Sequence, residues 1–231
     1  MLKPMIHSSH ADESQVWEVL PITWDSRLPL RRNDLKGFPD PVVFVRHAAV
    51  PENRIDVVVG SIDPSLDEVG FSQAKQLGKI LTLVPISKIY SSGLKRALQT
   101  AAVLAKFTDA EIQVDERLNE LDYGLTDGLP KSSAIYQKAL VARQDNKYAF
   151  RYEGGESLSD VEARVRRFIS GELVNSPNGT LIVAHLGVIR TFAHVLCNIP
   201  PSAAANLHAD HLSISVVVPS AGLSFWGGVL D

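Results

Sequence analysis

Two runs of consecutive apolar residues interrupt an otherwise mixed pattern: Pro41-Val-Val-Phe-Val45 and Thr180-Leu-Ile-Val-Ala184. Short runs without polar interruption are typical of strands covered on both faces, as in a parallel sheet. Between them the period changes to that of helices. Phe71, Ala74, Leu77, Gly78 and Leu81 are spaced as one face of a helix. Ile86 to Tyr90 reads as a second strand, followed by a helix over 94–106 that Ser91 or Ser92 is placed to cap. Residues 118–152 form a long excursion, helical over 134–143. Ser157-Leu-Ser-Asp160 has the character of a capping box ahead of a helix running to about Ile169. A helix over 187–197 follows the second apolar run, and 213–218 and 223–227 read as closing strands. Strands alternating with helices predict a three-layer α/β/α domain around a central, mostly parallel sheet.

Residues 1–40 lack this pattern. They hold Trp17, Trp24, a basic pair at Arg31-Arg32 and a short alternation, Val16 to Leu20, that fits one strand. The expected organisation is an N-terminal extension over 1–40 and one domain over 41–231. With 231 residues, 45% hydrophobic and 21% charged, the chain can bury a full core. A net charge of −3 argues against general nucleic-acid binding. Any anion site must therefore be a local concentration of positive charge. The single cysteine, Cys197, lies in an apolar stretch and reads as a core thiol. The N-terminus has no apolar signal region, and no run approaches the ~18 apolar residues of a membrane span. These features predict a cytoplasmic protein with no membrane partner, in a form compatible with a homo-oligomer.

Both apolar runs end in a histidine, and the first is preceded by an arginine: Arg46-His47 and His185. Strands of open α/β sheets present their active residues at their carboxyl ends. A neutral imidazole there, its second nitrogen held by a hydrogen bond, is suited to nucleophilic attack. Arg46 offers a planar fork for phosphate oxygens, and Arg96, near the start of a helix that follows a strand, aims at the same edge. His185, when protonated, adds further positive charge. His194 falls mid-helix among apolar residues and reads as structural, while His7, His10, His208 and His211 show no constellation. A raised carboxylic acid can give the leaving oxygen its proton. Glu120, Asp122 and Asp127 are the candidates, and periodicity does not choose between them.

These residues resemble the histidine phosphatase superfamily, the branch that includes phosphoglycerate mutases, over about residues 41–218. Val43-Phe-Val-Arg-His-Ala48 is similar to the family's Arg-His-Gly signature, with Asn53 six residues after His47 where the family has a phosphate-contacting Asn. Ser91-Ser-Gly-Leu-Lys-Arg-Ala-Leu-Gln-Thr-Ala101 resembles the segment bearing the second arginine, and Leu118-Asn-Glu-Leu-Asp-Tyr-Gly124 the one bearing the acid, which selects Glu120. Gly155-Glu-Ser157 and Ala184-His-Leu-Gly-Val-Ile-Arg190 complete the order. The resemblance implies a phosphoglycerate mutase-like fold and His47 as nucleophile. It implies Arg46, Arg96, His185 and Asn53 as the phosphate pocket, a small phosphorylated substrate, and neither metal nor cofactor. Ala48, Val50 and Leu186 depart from the family's usual residues without removing charge from the site.

Only 34 residues separate Glu120 from Gly155, fewer than in mutases with a long insertion, which favours hydrolysis. The stretch from Ala142 to Ser157 is also similar to fructose-2,6-bisphosphatases, in which tyrosine and basic side chains hold the sugar phosphate. That implies Tyr148 and Arg151 as substrate contacts, although Gly154 stands where those enzymes have a lysine. The expected activity is a metal-independent phosphatase of small metabolites, sugar phosphates favoured. The alternatives are a phosphoglycerate mutase-type phosphotransferase and a phospho-ligand binding module.

Overall fold

The computed structural model describes residues 41–218 and 222–228; the N-terminal extension over 1–40, with His7 and His10, lies outside the described residues. Strand β1 (Val42–Arg46) leads through the one-turn helix α1 (Pro51–Arg54) to α2 (Glu68–Leu81). Then come β2 (Lys88–Ser91), α3 (Lys95–Thr108), β3 (Glu111–Val114), α4 (Ala134–Ala142), α5 (Leu158–Gly171) and β4 (Thr180–Ala184). The described chain closes with α6 (Leu186–Cys197), α7 (Pro201–Ala204), β5 (Ile214–Val218) and β6 (Gly222–Gly228). The strands form one sheet in the order β3-β2-β4-β1-β5-β6. β3, β2, β4 and β1 run parallel, whereas β5 and β6 are antiparallel to their neighbours.

The alternation of side chains along β1 divides the core. Val42 and Phe44 join Tyr90 and Ile182 in a cluster with α5 and α6. Val43 and Val45 join Ile89, Leu181 and Val183 in a second cluster with α2 and α3. Helices therefore cover both sheet faces, which explains why β1 and β4 read as unbroken apolar runs. In α5, Ser157 and Asp160 close the capping box that the sequence predicts. The helical spacing from Phe71 to Leu81 falls within α2, which begins three residues before Phe71, where the Asp67 carboxylate accepts from Gly70 N. Neither Ser91 nor Ser92 is the N-cap of α3: that position is Leu94, whose own N–H donates to Ser92 Oγ at 3.2 Å. Strand β3 and helix α7 had no sequence signal. β3 is a four-residue edge strand of mixed polarity, and α7 is a single turn.

Candidate active site

β1 and β4 are adjacent and parallel, with Arg46 in register with Ala184, so His47 and His185 emerge side by side at their carboxyl ends. His47 N–H donates to the Ala184 carbonyl at 3.0 Å, and the two imidazole rings lie 5.0 Å apart. Nδ1 of His47 sits 2.8 Å from the Ala48 carbonyl. A carbonyl only accepts, so the proton is on Nδ1 and the lone pair on Nε2. Thr100 holds this turn, accepting from Ala48 N–H while donating to the Arg96 carbonyl.

His185, the N-cap of α6, is fully buried, with Nε2 2.8 Å from Ser92 Oγ. The Ser92 hydroxyl donates to Asn119 Oδ1, which also accepts from Gly93 N–H. That commits the single hydroxyl proton, so Ser92 Oγ accepts from His185 Nε2–H, and the neutral ring carries its lone pair on Nδ1. Arg96, also fully buried, donates from its two terminal nitrogens to the Ile62 and Gly60 carbonyls. Asp127 shapes that carbonyl pair, accepting from Gly60 N at 2.7 Å and Ile62 N at 2.8 Å. Arg46 is anchored by Nη1 to the Ala209 carbonyl at 2.7 Å.

Four nitrogens around His47 are buried without a hydrogen-bond partner among the described residues: Arg46 Nε, Arg96 Nε, His185 Nδ1 and His211 Nε2. An unpartnered buried polar atom is costly, and its neighbours are normally arranged to avoid it. Here four such nitrogens gather at one sheet edge around one neutral imidazole. Burial is the main cause that holds His47 and His185 well below the usual histidine range, with Arg46 and Arg96 adding to it. Two guanidiniums and histidines able to protonate in response to an anion suit a group with two negative charges.

The Glu120 carboxylate favours the charged forms of both Arg46 and Arg96. Its Oε1 accepts from Leu121 N at 2.9 Å and its Oε2 from Gly187 N at 3.3 Å, in the first turn of α6. A Cβ at Gly187 would stand 2.5 Å from Glu120 Oε1, so this close approach requires glycine there. Buried Arg164 clamps the loop, donating to the Arg117 and Glu120 carbonyls and pairing with Glu156. Gly124, with φ +52°, lies against the Glu153 backbone, where any side chain would collide. Of the three acids left open by the sequence, Asp122 accepts from Gly124 N and Asp127 braces the loop behind Arg96. Only Glu120 touches the start of α6.

The sequence passed over His211. Its ring lies 5.2 Å from His47, and burial, followed by Arg46, pushes its pKa down to about 3. The signal was topological. β5 pairs antiparallel with β1, and Arg46 N–H donates to the Ser213 carbonyl, so the residues entering β5 lie beside His47. Asn53 turns its Oδ1 back to Val50 N at 3.2 Å and closes α1. Tyr148 and Arg151 are not brought to the cluster. Tyr148 donates to Glu162 on α5 and packs on His194 near the far end of α6, while Arg151 pairs with Asp160 at the start of α5. His194 donates from Nδ1 to the Ile199 carbonyl, 2.7 Å away, in keeping with a structural role.

The histidine phosphatase superfamily (branch 1) model matches residues 42–224. The chain belongs to the histidine phosphatase superfamily. Phosphoserine phosphatase 1 of Hydrogenobacter thermophilus is 30% identical over 179 residues, covering 76% of this chain and 85% of that protein. A 2,3-bisphosphoglycerate-dependent phosphoglycerate mutase of Methylocella silvestris is 34% identical over 170 residues, 69% of this chain and 82% of that one. The structure of mycobacterial glucosyl-3-phosphoglycerate phosphatase in complex with VO3 superposes with a TM-score of 0.71 at 28% identity, covering 82% of this chain and 100% of that one. This histidine phosphatase is a phosphatase-type enzyme with a phosphoglycerate mutase-like fold. Among the described residues no helix is long and apolar enough to cross a membrane.

Proposed function

We propose that this enzyme is a metal-independent phosphatase that hydrolyses phosphomonoesters of small metabolites, sugar phosphates favoured, through a phosphohistidine on His47 Nε2. The observation that carries the reading is the set of four unpartnered buried nitrogens surrounding an imidazole whose proton is held on Nδ1. In this mechanism the phosphoryl oxygens lie against Arg46, Arg96, His185 and His211. His47 Nε2 attacks phosphorus as the ester oxygen leaves and takes a proton from Glu120. Glu120, now a carboxylate, accepts a proton from water, the hydroxide attacks phosphorus, and the P–N bond breaks to release inorganic phosphate. His185 Nδ1 accepts a proton from a monoanionic phosphate, or binds one as the dianion enters, and so donates to the phosphoryl group as its charge is redistributed. Asn53 is assigned here as a further phosphate contact through its amide nitrogen. The substrate is a small phosphorylated molecule rather than a nucleic acid or a membrane, in a cytoplasmic enzyme. The relatives named as mutases favour a second reading, in which the phosphohistidine returns its phosphoryl group to a sugar acid.

Phosphate release from p-nitrophenyl phosphate in excess EDTA, with wild type and His47→Ala side by side, tests the proposal. Turnover by wild type alone is expected. Equal turnover by both would overturn the His47 mechanism, loss of turnover with EDTA would overturn metal independence, and turnover that needs a bisphosphate primer would favour the mutase.

A further inference from the structure

Asn119 ends the short 3-10 turn Glu116–Leu118, and its own N–H donates to the Glu116 carbonyl. Its side-chain oxygen accepts from Gly93 N–H at 2.9 Å and from Ser92 Oγ at 2.8 Å. A backbone N–H only donates, so the atom facing Gly93 is the amide oxygen and not the amide nitrogen. That oxygen only accepts, so the Ser92 hydroxyl directs its one proton to it. Ser92 Oγ is left as an acceptor, and it receives Leu94 N–H at 3.2 Å and His185 Nε2–H at 2.8 Å. The fixed polarity of one backbone amide is thus carried through Asn119 and Ser92 to the imidazole, whose tautomer follows from that bond. Nδ1 of His185 is a lone pair, buried and without a hydrogen-bond partner among the described residues.

A lone pair repels an anion. A dianion entering beside Nδ1 needs a donor there, and in this tautomer His185 offers one only after taking up a proton. In the opposite tautomer Nδ1–H would meet the anion directly. The charges facing the ring are Arg96 from α3, Arg46 from β1 and Arg164 from α5, with the neutral His47 ring 5.0 Å away. Burial first, then these three arginines, holds His185 neutral until an anion offsets them. Glu120, the next residue after Asn119, reaches Gly187 N at 3.3 Å in the helix that His185 caps.

We propose that Asn119 is a positioning residue that, through Ser92, fixes His185 as a proton acceptor, so that the pocket binds a dianion together with a proton from solvent. The proposal rests on the reading that this pocket holds the phosphoryl group. Asn119 and Glu120, adjacent in one turn, thereby govern both proton movements, uptake at His185 and transfer to the leaving oxygen. A purely structural Asn119, bracing the Ser92-Gly93 bend against the 3-10 turn, would affect stability but neither the His185 tautomer nor the proton count.

The test begins with the full chain carrying nitrogen-labelled histidine, read by two-bond proton–nitrogen correlation. In free wild type the His185 proton is expected on Nε2, with Nδ1 bare. Asn119→Leu lets the Ser92 hydroxyl turn and donate to Nε2, which moves the imidazole proton to Nδ1; Asn119→Asp keeps an acceptor-only oxygen and the wild-type pattern. Calorimetry with sulfate, a dianion throughout the neutral range, in buffers of different ionisation enthalpy then counts the protons. His211, whose Nε2 is also unpartnered among the described residues, can take one up in every variant, so the difference between proteins is the readout. Wild type and Asn119→Asp are expected to take up about one proton more per sulfate than Asn119→Leu. Their affinity should accordingly fall by about a further tenfold for each unit rise in pH. An unchanged tautomer or an unchanged proton count in Asn119→Leu would overturn the proposal. Should Asn119→Leu not fold, wild type decides: His185 carrying its proton on Nδ1 before sulfate enters, or sulfate binding without proton uptake, would overturn it. Failure of sulfate to bind wild type would count against the phosphoryl reading of the pocket, while the His185 spectra still judge Asn119.

Discussion

Replacing His211 by asparagine should weaken the acid sensitivity of the fold by a calculable amount. In the unfolded chain an imidazole takes up a proton near pH 6.5, whereas in the folded protein burial and the nearby arginines keep His211 neutral down to about pH 3. Below pH 6.5 the unfolded state therefore holds more protons than the native state. Stability is complete above that pH and is lost as pH falls towards the folded value. Between pH 6.5 and 5 one such histidine removes about 1.6 kcal/mol. His47 and His185, held low mainly by burial, are shifted in the same direction and add to the loss in both proteins. Urea unfolding of wild type and His211→Asn at half-unit steps across this window measures the difference directly. The two curves should converge by about 1.6 kcal/mol as pH falls. Asp160 and Glu162, whose pKa values are lowered, titrate below the window and are common to both proteins. Parallel curves would show that His211 is not held neutral beside His47 and would refute the geometry given for it.

Glu120→Gln should slow alkyl phosphates more than aryl phosphates, because only the poorer leaving group needs a proton; equal losses would remove Glu120 from that role. Gly187→Ala places a methyl where Glu120 Oε1 stands, at the end of a flexible side chain. It should reproduce the leaving-group dependence of Glu120→Gln with a thermal stability close to wild type, and loss of folding instead would contradict this. Ser92→Ala leaves His185 Nε2–H and Leu94 N–H without their acceptor, at a cost of about 1–3 kcal/mol of stability. It should also reduce phosphate affinity in calorimetry, whereas unchanged affinity would mean that His185 needs no fixed tautomer.

The sheet and its two histidine-bearing strands were legible because they are covered on both faces, and a short unbroken apolar run between turn residues is the pattern such strands leave. The edge strand β3 was not, since Glu111 and Gln113 carry no burial signal. His47, His185 and Arg46 were legible for the same reason as their strands: each sits where an apolar run stops. His211 was not, because it joins the site through the antiparallel pairing of β5 with β1, a long-range contact without local periodicity. Among the acids, tertiary contacts separated what the sequence left equal. Asp127 faces the backbone of residues 60–62, whereas Glu120 faces the first turn of α6. The tyrosine and arginine of the 142–157 stretch were drawn by resemblance to a sugar-phosphate site. In the structure Glu162 and Asp160 engage them instead.

The proposed mechanism requires a covalent phosphoryl group at His47. Rapid-quench labelling with a phosphorus-labelled aryl phosphate, followed by peptide mapping under alkaline conditions that preserve phosphohistidine, tests it most directly. One phosphoryl group on His47 is expected, appearing and decaying at rates fast enough for turnover, with none on His185 or His211. An enzyme that turns over the ester while His47 remains unlabelled throughout the pre-steady state would contradict it.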